Sequence, residues 1–206
     1  MLHGNIGNDR FLGRSVEIYC HAKYYGFYSE ANTISFVNYL KNDLMTFTHL
    51  VPKSELKAAQ VLAADLAELA KKYGPFTVCG IPRSKRESIY PAEKMGLKRA
   101  IRKAVASIPQ LTDGLDYIVR HTNTKCTHRS YWGHGGDGEM PRPGLMRDTC
   151  TLSPAIAGKT IVLVDDIYTP GVGIDEDGVQ TLYEAGARSV ILYTFGYTVK
   201  KYGCAA

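Results

Sequence analysis

The sequence predicts an α/β protein in which helices flank a central, mostly parallel sheet, as in Rossmann-like folds. Two apolar runs, at residues 76–81 and 161–166, have the length of buried strands, and each leads into a turn that contains proline or glycine. The second run continues through that turn and a helical segment, about residues 174–185, to a further apolar run at 189–195. A strand, loop, helix and strand at this spacing form a right-handed parallel unit.

The composition is that of a folded domain. The chain has 206 residues, of which 45% are hydrophobic and 22% charged, and these values argue against a disordered or fibrous chain. No apolar run approaches the ~20 residues of a membrane-spanning helix, and residues 1–14 lack the apolar centre of a signal peptide. The five scattered cysteines contain no CxxC pair, which indicates reduced thiols. We therefore expect a soluble, cytoplasmic protein.

One helix is expected before the strand at 76–81 in the sequence, and another after it. Apolar residues three and four apart predict a helix from an N-cap at Ser54 to about Tyr73, where Gly74 and Pro75 end it. A second amphipathic helix is predicted over 93–107, and short strands over 16–20 and 115–120. We expect residues 1–74 to form a small N-terminal hood with the first helix. Residues 75–206 would form the core, with a flexible loop at 121–150.

The charge is segregated along the chain. Residues 83–129 carry eleven basic and four acidic side chains, whereas residues 137–186 carry nine acidic and three basic ones. Such a distribution suits either a nucleic-acid surface or a site that holds a polyanion beside a divalent cation. A plain nucleic-acid-binding module is the less favoured interpretation, because the acidic half would repel the nucleic-acid backbone.

The chemistry concentrates where the strand at 161–166 ends. Asp165 and Asp166 lie at the carboxyl end of a buried strand, where open α/β sheets bind ligands. The turn at 167–173, with its two glycines, leads directly into a helix, so its backbone N–H groups and the helix dipole favour a phosphate monoester. We interpret the acids at 175–177 as first-turn residues that favour the helix dipole. The alternative for the aspartate pair is a solvated turn.

Residues 161–190, IVLVDDIYTPGVGIDEDGVQTLYEAGARSV, resemble the ribose-phosphate binding motif of the type I phosphoribosyltransferases. The resemblance implies that Asp165 and Asp166 accept hydrogen bonds from the ribose hydroxyls of phosphoribosyl pyrophosphate and hold Mg²⁺. The 5-phosphate would lie on the following bend: Thr169, Pro170, Gly171, Val172 and Gly173. Two of these residues depart from the family pattern, which has hydroxyl residues at positions 170 and 173, and proline also lacks a backbone N–H.

A basic loop follows the strand at 76–81, where the same family binds diphosphate. The resemblance implies that Arg83, Lys85 and Arg86 neutralise the departing diphosphate and that Ser84 adds a hydroxyl donor. The alternative is an ordinary exposed basic turn. The loop sequence IPRSKRES also resembles, more weakly, that of the ComF-like amidophosphoribosyltransferases.

The glycine-rich span 121–150 corresponds in that family to a loop that closes over the substrate. Its basic residues are candidates to reach the diphosphate: Lys125, Arg129 and Arg147. Tyr131 and Trp132 could stack on a base or anchor the loop to the body. Four further residues are zinc-ligand candidates, although their spacing is irregular: Cys126, His128, His134 and Cys150.

Together these features predict a Mg²⁺-dependent phosphoribosyltransferase that transfers 5-phosphoribosyl from phosphoribosyl pyrophosphate to a nitrogen acceptor, a nucleobase or an amine, and releases diphosphate. The alternative is a non-catalytic protein of the same fold that binds a nucleotide or nucleic acid as a sensor or regulator. Pro170 and Gly173 favour this alternative. The resemblance implies a homodimer, and the expected ligand is phosphoribosyl pyrophosphate or a nucleoside monophosphate. We expect no membrane partner, and a nucleic-acid partner is the less favoured interpretation. The acceptor stays open.

Overall fold

The computed structural model describes residues 1–41, 48–126 and 138–199. The strands in these ranges are β1 (Leu2–Gly7), β2 (Ser15–Tyr24), β3 (Phe76–Gly80), β4 (Leu111–Asp113), β5 (Ile118–Arg120), β6 (Cys150–Leu152), β7 (Thr160–Tyr168) and β8 (Ser189–Thr198). The α-helices are α1 (Asn38–Lys41), α2 (Val51–Tyr73), α3 (Gly96–Ala106), α4 (Leu145–Thr149) and α5 (Ile174–Glu184).

The predicted central sheet is confirmed. It has six strands in the order β1-β2-β8-β7-β3-β4, and its neighbouring strands are parallel except for the antiparallel pair β1 and β2. The predicted unit of strand, turn, helix and strand is β7, the bend, α5 and β8. The carboxyl ends of β2, β8, β7 and β3 therefore meet at one edge of the sheet, which is where such sheets bind ligands.

Two apolar cores lie on opposite faces of the sheet. Val162 and Val164 of β7 pack with α2 and α3 on one face, while Ile161 and Leu163 pack with α5 on the other. All four are at most 1% exposed, and each buried aliphatic side chain stabilises the fold by about 1.5–3 kcal/mol. This alternation holds β7 rigidly in place up to the two aspartates.

The long helix α2 ends as predicted but begins earlier. It runs from Val51, with a proline in its first turn, to Tyr73, and Gly74 follows with a φ of 74°. The predicted N-cap at Ser54 is wrong, because Ser54 lies inside the helix and is buried. A short 3₁₀ turn, Thr48–Leu50, leads into the helix instead, so no side-chain cap marks its start.

Residues 1–74, for which a hood is expected, begin with two strands. Its strands β1 and β2 belong to the central sheet, in which β2 pairs with β8. The pattern of β1 concealed this, because an edge strand with exposed polar residues such as His3 and Asn5 lacks the apolar run of a buried strand. Residues 1–74 therefore supply sheet strands as well as the helix α2.

The span 121–150 contains regular secondary structure at its carboxyl-terminal end. Residues 145–149 form α4, and β6 pairs with β5 in a separate antiparallel ribbon. Residues 127–137 lie outside the described residues, as do the expectations for Arg129, Tyr131, Trp132, His128 and His134. Within the described parts of the chain, no helix has the length and apolarity needed to cross a bilayer.

Four of the five cysteines lie in the described residues. Cys20, Cys79, Cys126 and Cys150 form no disulfide and are buried. Burial raises the pKa of Cys20 to about 11 and that of Cys79 to about 12, so both thiols stay protonated and unreactive near neutral pH. The fifth, Cys204, lies outside the described residues.

Candidate functional site

A polar cleft lies at the carboxyl ends of β7 and β3. Its cavity has a volume of about 320 Å³. One wall comes from the end of β7 and the start of α5, and the other comes from the loop after β3 and the segment after β5. Both aspartates and the basic loop thus border the same cavity, although about eighty residues separate them in the sequence.

The acidic wall contains the predicted pair and one further carboxylate. Asp165 is 5% exposed and faces the α5 side of the sheet, level with Thr194 of β8. Asp166 is half-buried, and its Oδ1 accepts a hydrogen bond from the N–H of Ile167 at 2.9 Å. Asp175, in the first turn of α5, also lines the cleft and is 5% exposed. The sequence placed Asp175 only near the helix dipole.

The other two acids of that turn are buried and have structural partners. Glu176 accepts a hydrogen bond from the hydroxyl of Tyr168 at 2.7 Å. Asp177 accepts from the backbone N–H groups of Gly144 and Met146 at 2.5 and 2.7 Å, so it caps the start of α4. Burial raises the pKa of both carboxyls. The prediction that they lie in the first turn is confirmed, and their burial was not expected.

The bend at 169–173 has two different faces. Thr169 and Val172 line the cleft, whereas Pro170 lines a separate side cavity of about 680 Å³ beside β1, β2 and β8. Gly171 and Gly173 adopt left-handed backbone conformations, with φ of 86° and 85°, and neither contributes to the cleft lining. The hydroxyl of Thr169 hydrogen-bonds that of Thr198 at 2.8 Å, which ties the bend to the end of β8.

Gly173 is covered by an aromatic ring from the β1–β2 loop. A Cβ atom at this position would lie 2.4 Å from ring carbons of Phe11, closer than real Cβ contacts come. Phe11 is 7% exposed, and an aspartate turn at Asp9 fixes it, because Asp9 accepts hydrogen bonds from the N–H groups of Phe11 and Leu12. A serine or threonine side chain at position 173 has no room in this arrangement.

The basic wall begins with Arg83 and Ser84. Arg83 is 9% exposed, donates to the carbonyl of Lys94 at 2.9 Å and lies 4.1 Å from the ring centre of Tyr90. Its guanidinium plane is therefore held by a hydrogen bond and a cation–π contact. The Ser84 hydroxyl lies 3.3 Å from that of Tyr90. Arg83, Ser84 and Tyr90 all line the cleft.

Lys85 and Arg86 lie outside the lining of the cleft. The ammonium of Lys85 donates to the carbonyl of Thr124 at 2.9 Å, and the backbone N–H of Arg86 donates to Asn123 at 3.0 Å. The backbone N–H of Thr124 in turn donates to the carbonyl of Ser84 at 2.7 Å. These contacts attach the segment after β5 to the basic loop.

That segment brings further cations to the cleft. Lys125, one of the three candidates from the glycine-rich span, lines the cavity. Arg147 does not, because it pairs with Asp148 and Glu184 at the surface. Arg120, which sequence reasoning did not single out, also lines the cleft and is only 5% exposed. In the structure, Ile118 and Arg120 are both buried on the same face of β5.

The donor set suits magnesium better than zinc. Asp165 and Asp166 offer carboxylate oxygens at the cleft, and Mg²⁺ is usually held by one or two carboxylates together with substrate phosphates. Among the residues that the structure describes, no group of three or more His, Cys, Asp or Glu side chains could hold a metal ion. Cys126 and Cys150 therefore form no zinc site with other described residues.

The four basic side chains of α3 all pair with carboxylates. On α3, Lys98 pairs with Glu87 and Asp116, and Arg102 pairs with Asp113 and Asp116. Arg99 and Lys103 both pair with Glu55. A nucleic-acid surface needs cations that can reach phosphates, so these internal pairs weigh against that interpretation of the basic stretch.

Comparisons with known proteins give likenesses at the level of structure. No protein-family model and no curated protein matches the chain. A purine phosphoribosyltransferase from Pyrococcus horikoshii Ot3 matches with a TM-score of 0.39 and 14% identity, over 72% of this chain and 91% of that one. A hypoxanthine phosphoribosyltransferase from Staphylococcus aureus matches with a TM-score of 0.38 and 15% identity, over 71% and 76%. These values bear on neither substrate nor activity.

Proposed function

We propose that the protein is a phosphoribosyltransferase that binds phosphoribosyl pyrophosphate in this cleft and transfers the phosphoribosyl group to a nitrogen acceptor. The observation that carries the proposal is the division of the cleft. Asp165 and Asp166 lie on one wall, and Arg83 and Lys125 lie on the other. A ligand with ribose hydroxyls at one end and a diphosphate at the other matches this arrangement of acceptors and cations.

Each wall has its own task in this reaction. The carboxylates of Asp165 and Asp166 accept hydrogen bonds from the ribose hydroxyls and so fix the sugar. The bend at 169–173 and the positive end of α5 hold the 5-phosphate. Arg83 and Lys125 stabilise the negative charge that develops on the departing diphosphate. Asp165 and Asp166 would hold Mg²⁺, which would supply Lewis-acid charge to the same group.

Positioning replaces a covalent nucleophile in this scheme. The acceptor nitrogen forms a bond to the anomeric carbon as the carbon–oxygen bond to diphosphate breaks, and the leaving oxygen keeps that electron pair. The acceptor nitrogen then loses its proton to water. Catalysis then comes from orientation and from fixed charge. The segment that attaches to Ser84 and Lys85 narrows the cleft on its basic side and helps to exclude water, which competes with the acceptor.

The first test is ligand-induced stabilisation. Phosphoribosyl pyrophosphate with Mg²⁺ at about one hundred times its Kd adds about 2.7 kcal/mol to the stability of the native state. For a chain of this size we expect the melting temperature to rise by about 5–10 °C. The double variant Asp165→Asn, Asp166→Asn should lose this shift. The matched control is Asp116→Asn, an exposed carboxylate paired with cations of α3, which should keep it.

Two results would count against the proposal. If the wild type shows no shift with millimolar ligand, the cleft does not bind phosphoribosyl pyrophosphate. If the double variant keeps the full shift, the aspartates are not the ribose site, and the acid pair has only a structural role.

A second candidate is a non-catalytic sensor of the same fold. The observation that favours it is the ring of Phe11, which occupies the space of the family hydroxyl at position 173. Release of diphosphate measured across a panel of nucleobases and amines separates the two candidates. An enzyme releases diphosphate with at least one acceptor, whereas a sensor binds the ligand without turnover.

A further inference from the structure

The side cavity behind the bend at 169–173 has the size of a small-molecule site. Its volume is about 680 Å³, which lies within the range of about 300–1,000 Å³ that is usual for ligand pockets. It lies beside the edge strand β1. None of the described residues that line it also lines the cleft, so the two cavities are separate.

The floor of the side cavity is the face of β1 and β2 on the α5 side of the sheet. In the antiparallel register, Leu2 lies opposite Cys20 and Gly4 lies opposite Ile18. All four residues line the cavity, and Ile18 and Cys20 belong to the apolar core on this side. Leu2 is 40% exposed, so the described residues leave this part of the apolar face open.

The walls of the cavity come from the bend and from the end of β8. Pro170 lines it on the side of the bend, and a proline offers an apolar ring and no backbone N–H. Tyr197 and Val199 line it on the side of β8. The ring of Tyr197 lies 5.6 Å from that of Tyr168, which holds it in place as an aromatic surface on which a planar ligand can stack.

A lysine gives the cavity a positive charge. Lys23 is exposed and lies beside Tyr197 in the parallel register of β2 and β8, and it forms no ion pair with a described residue. His3, which also lines the cavity, lies 3.2 Å from Glu17. No carboxylate is among the described residues that line the cavity. This charge distribution favours an anionic group next to Lys23.

The side cavity and the cleft lie on two sides of the same bend. Thr198 lines the side cavity and Thr169 lines the cleft, and their hydroxyls are hydrogen-bonded at 2.8 Å. Pro170, one of the two departures from the motif that the sequence resembles, lines only the side cavity. A ligand in the side cavity therefore contacts the bend from behind, where this sequence has its unusual residue.

We propose that the side cavity is a second ligand site, which binds a small planar aromatic molecule that carries one anionic group. The aromatic rings pack between Pro170 and Tyr197 over the apolar floor, and the anionic group faces the ammonium of Lys23. Apolar contact supplies most of the affinity, and the lysine sets the preference for an anion. The inference does not depend on the proposed function, because it uses no residue that lines the cleft.

The test uses naphthalene-2-sulfonate, a planar aromatic anion, as the probe. The readout is the set of backbone amide chemical shifts of the isotope-labelled wild-type protein during a titration to millimolar probe. The amides of Gly4, Ile18 and Tyr197 should shift along one saturable curve, whereas those of Ser84 and Thr124 at the cleft should not. The uncharged analogue naphthalene-2-sulfonamide should bind about 2- to 5-fold more weakly, the usual effect of an exposed ion pair.

A variant that fills the cavity tests the position of the probe. An added Cβ at Gly4 would meet no atom closer than Cγ2 of Ile18 at 3.9 Å, so the side chain of Gly4→Leu enters the cavity without a clash. It should weaken binding of the probe by about tenfold or more, because the leucine and the probe need the same volume. Gly13→Leu is the matched control. Gly13 is exposed, an added Cβ there meets nothing within 4 Å, and it lies outside the cavity lining.

A charge variant tests the anionic preference and covers the case in which Gly4→Leu does not fold. Lys23→Gln should weaken binding of the probe about 2- to 5-fold and should leave the affinity for the sulfonamide unchanged. Lys57→Gln, at an exposed position of α2 on the other side of the sheet, is the control, and its affinity for the probe should equal that of the wild type.

Three results would overturn the inference. The first is the absence of shifts at the cavity amides, or shifts confined to the cleft. The second is equal affinity of the wild type for the probe and for the sulfonamide, together with an unchanged affinity in Lys23→Gln. The third is a shift of the same cavity amides when the protein is diluted without probe, which would assign the cavity to a second copy of this chain. The proposed function is tested separately, by phosphoribosyl pyrophosphate in the cleft.

Discussion

The substitution Gly173→Ala tests the contact between the bend and the β1–β2 loop. Gly173 has a φ of 85°, and an added Cβ would lie 2.4 Å from the ring of Phe11. Gly171 has nearly the same backbone conformation, with a φ of 86°, but an added Cβ there meets no heavy atom within 4 Å. The two glycines therefore form a matched pair that differs in the neighbouring ring.

The expected costs follow from these two environments. A left-handed conformation costs a non-glycine residue about 1–2 kcal/mol, and this applies to both alanine variants. Overpacking against Phe11 adds about 1–3 kcal/mol at position 173. Gly173→Ala should therefore unfold with about 2–5 kcal/mol less free energy than the wild type, and Gly171→Ala with about 1–2 kcal/mol less.

Urea denaturation of both variants measures the difference. Thermal unfolding should separate their melting temperatures by about 2–12 °C, given about 2–4 °C per kcal/mol for a chain of this size. In a Phe11→Ala background the extra cost at position 173 should disappear, which a double-mutant cycle detects. Equal destabilisation by Gly171→Ala and Gly173→Ala would refute the packing of Phe11 against the bend.

Three further predictions concern buried acids and surface charge. Asp177→Ala removes the acceptor of two N–H groups at the start of α4 and should lower the free energy of unfolding, measured in urea, by about 2–4 kcal/mol. Glu184→Gln, at an exposed position, is the control, and equal stability of the two variants would contradict the capping role of Asp177. Burial raises the pKa of Glu176 in the folded protein. The folded state therefore binds a proton at Glu176 more tightly than the unfolded state does, and the protein loses stability as the pH rises through and above the usual glutamate range. Glu176→Gln should flatten the loss of stability that begins near pH 4.5, and an unchanged pH profile would show that Glu176 does not titrate as described. Because the cations of α3 are paired, fluorescence anisotropy should give a Kd for duplex or single-stranded DNA weaker than about 10⁻⁴ M at physiological salt, and tight, steeply salt-dependent binding would restore the nucleic-acid interpretation.

Elements with strong local signals could be predicted from the sequence, and edge elements could not. The apolar run of β7, the glycine-containing bend and α5 were recognisable because buried strands and helix ends carry distinctive patterns. By contrast, β1 is a polar edge strand, and β4 has three residues, of which two are exposed. Their pairing is decided by tertiary neighbours, so their own residues do not reveal it.

The cleft was predictable where one segment supplies several groups, and less so where distant segments meet. Asp165 and Asp166 stand out because acids are depleted in strands. Arg120 lacked such a signal, since one arginine at the end of a three-residue strand is common, and its burial depends on the contact with Arg83. Asp175 was assigned to the helix dipole because the sequence does not show that the first turn of α5 faces the cavity.

The residues at positions 170 and 173, which depart from the motif that the sequence resembles, have a packing explanation in this fold. Pro170 faces the side cavity next to β1, β2 and β8, and position 173 faces the ring of Phe11. The residues that face the cleft from the bend are Thr169 and Val172, so the altered positions change what packs behind the bend. If the phosphate site depends on the cleft-facing surface, Gly173→Thr should destabilise the protein, because the new side chain would clash with Phe11. The same substitution should not strengthen ligand binding. A Gly173→Thr variant that bound phosphoribosyl pyrophosphate more tightly would show instead that position 173 belongs to the phosphate site.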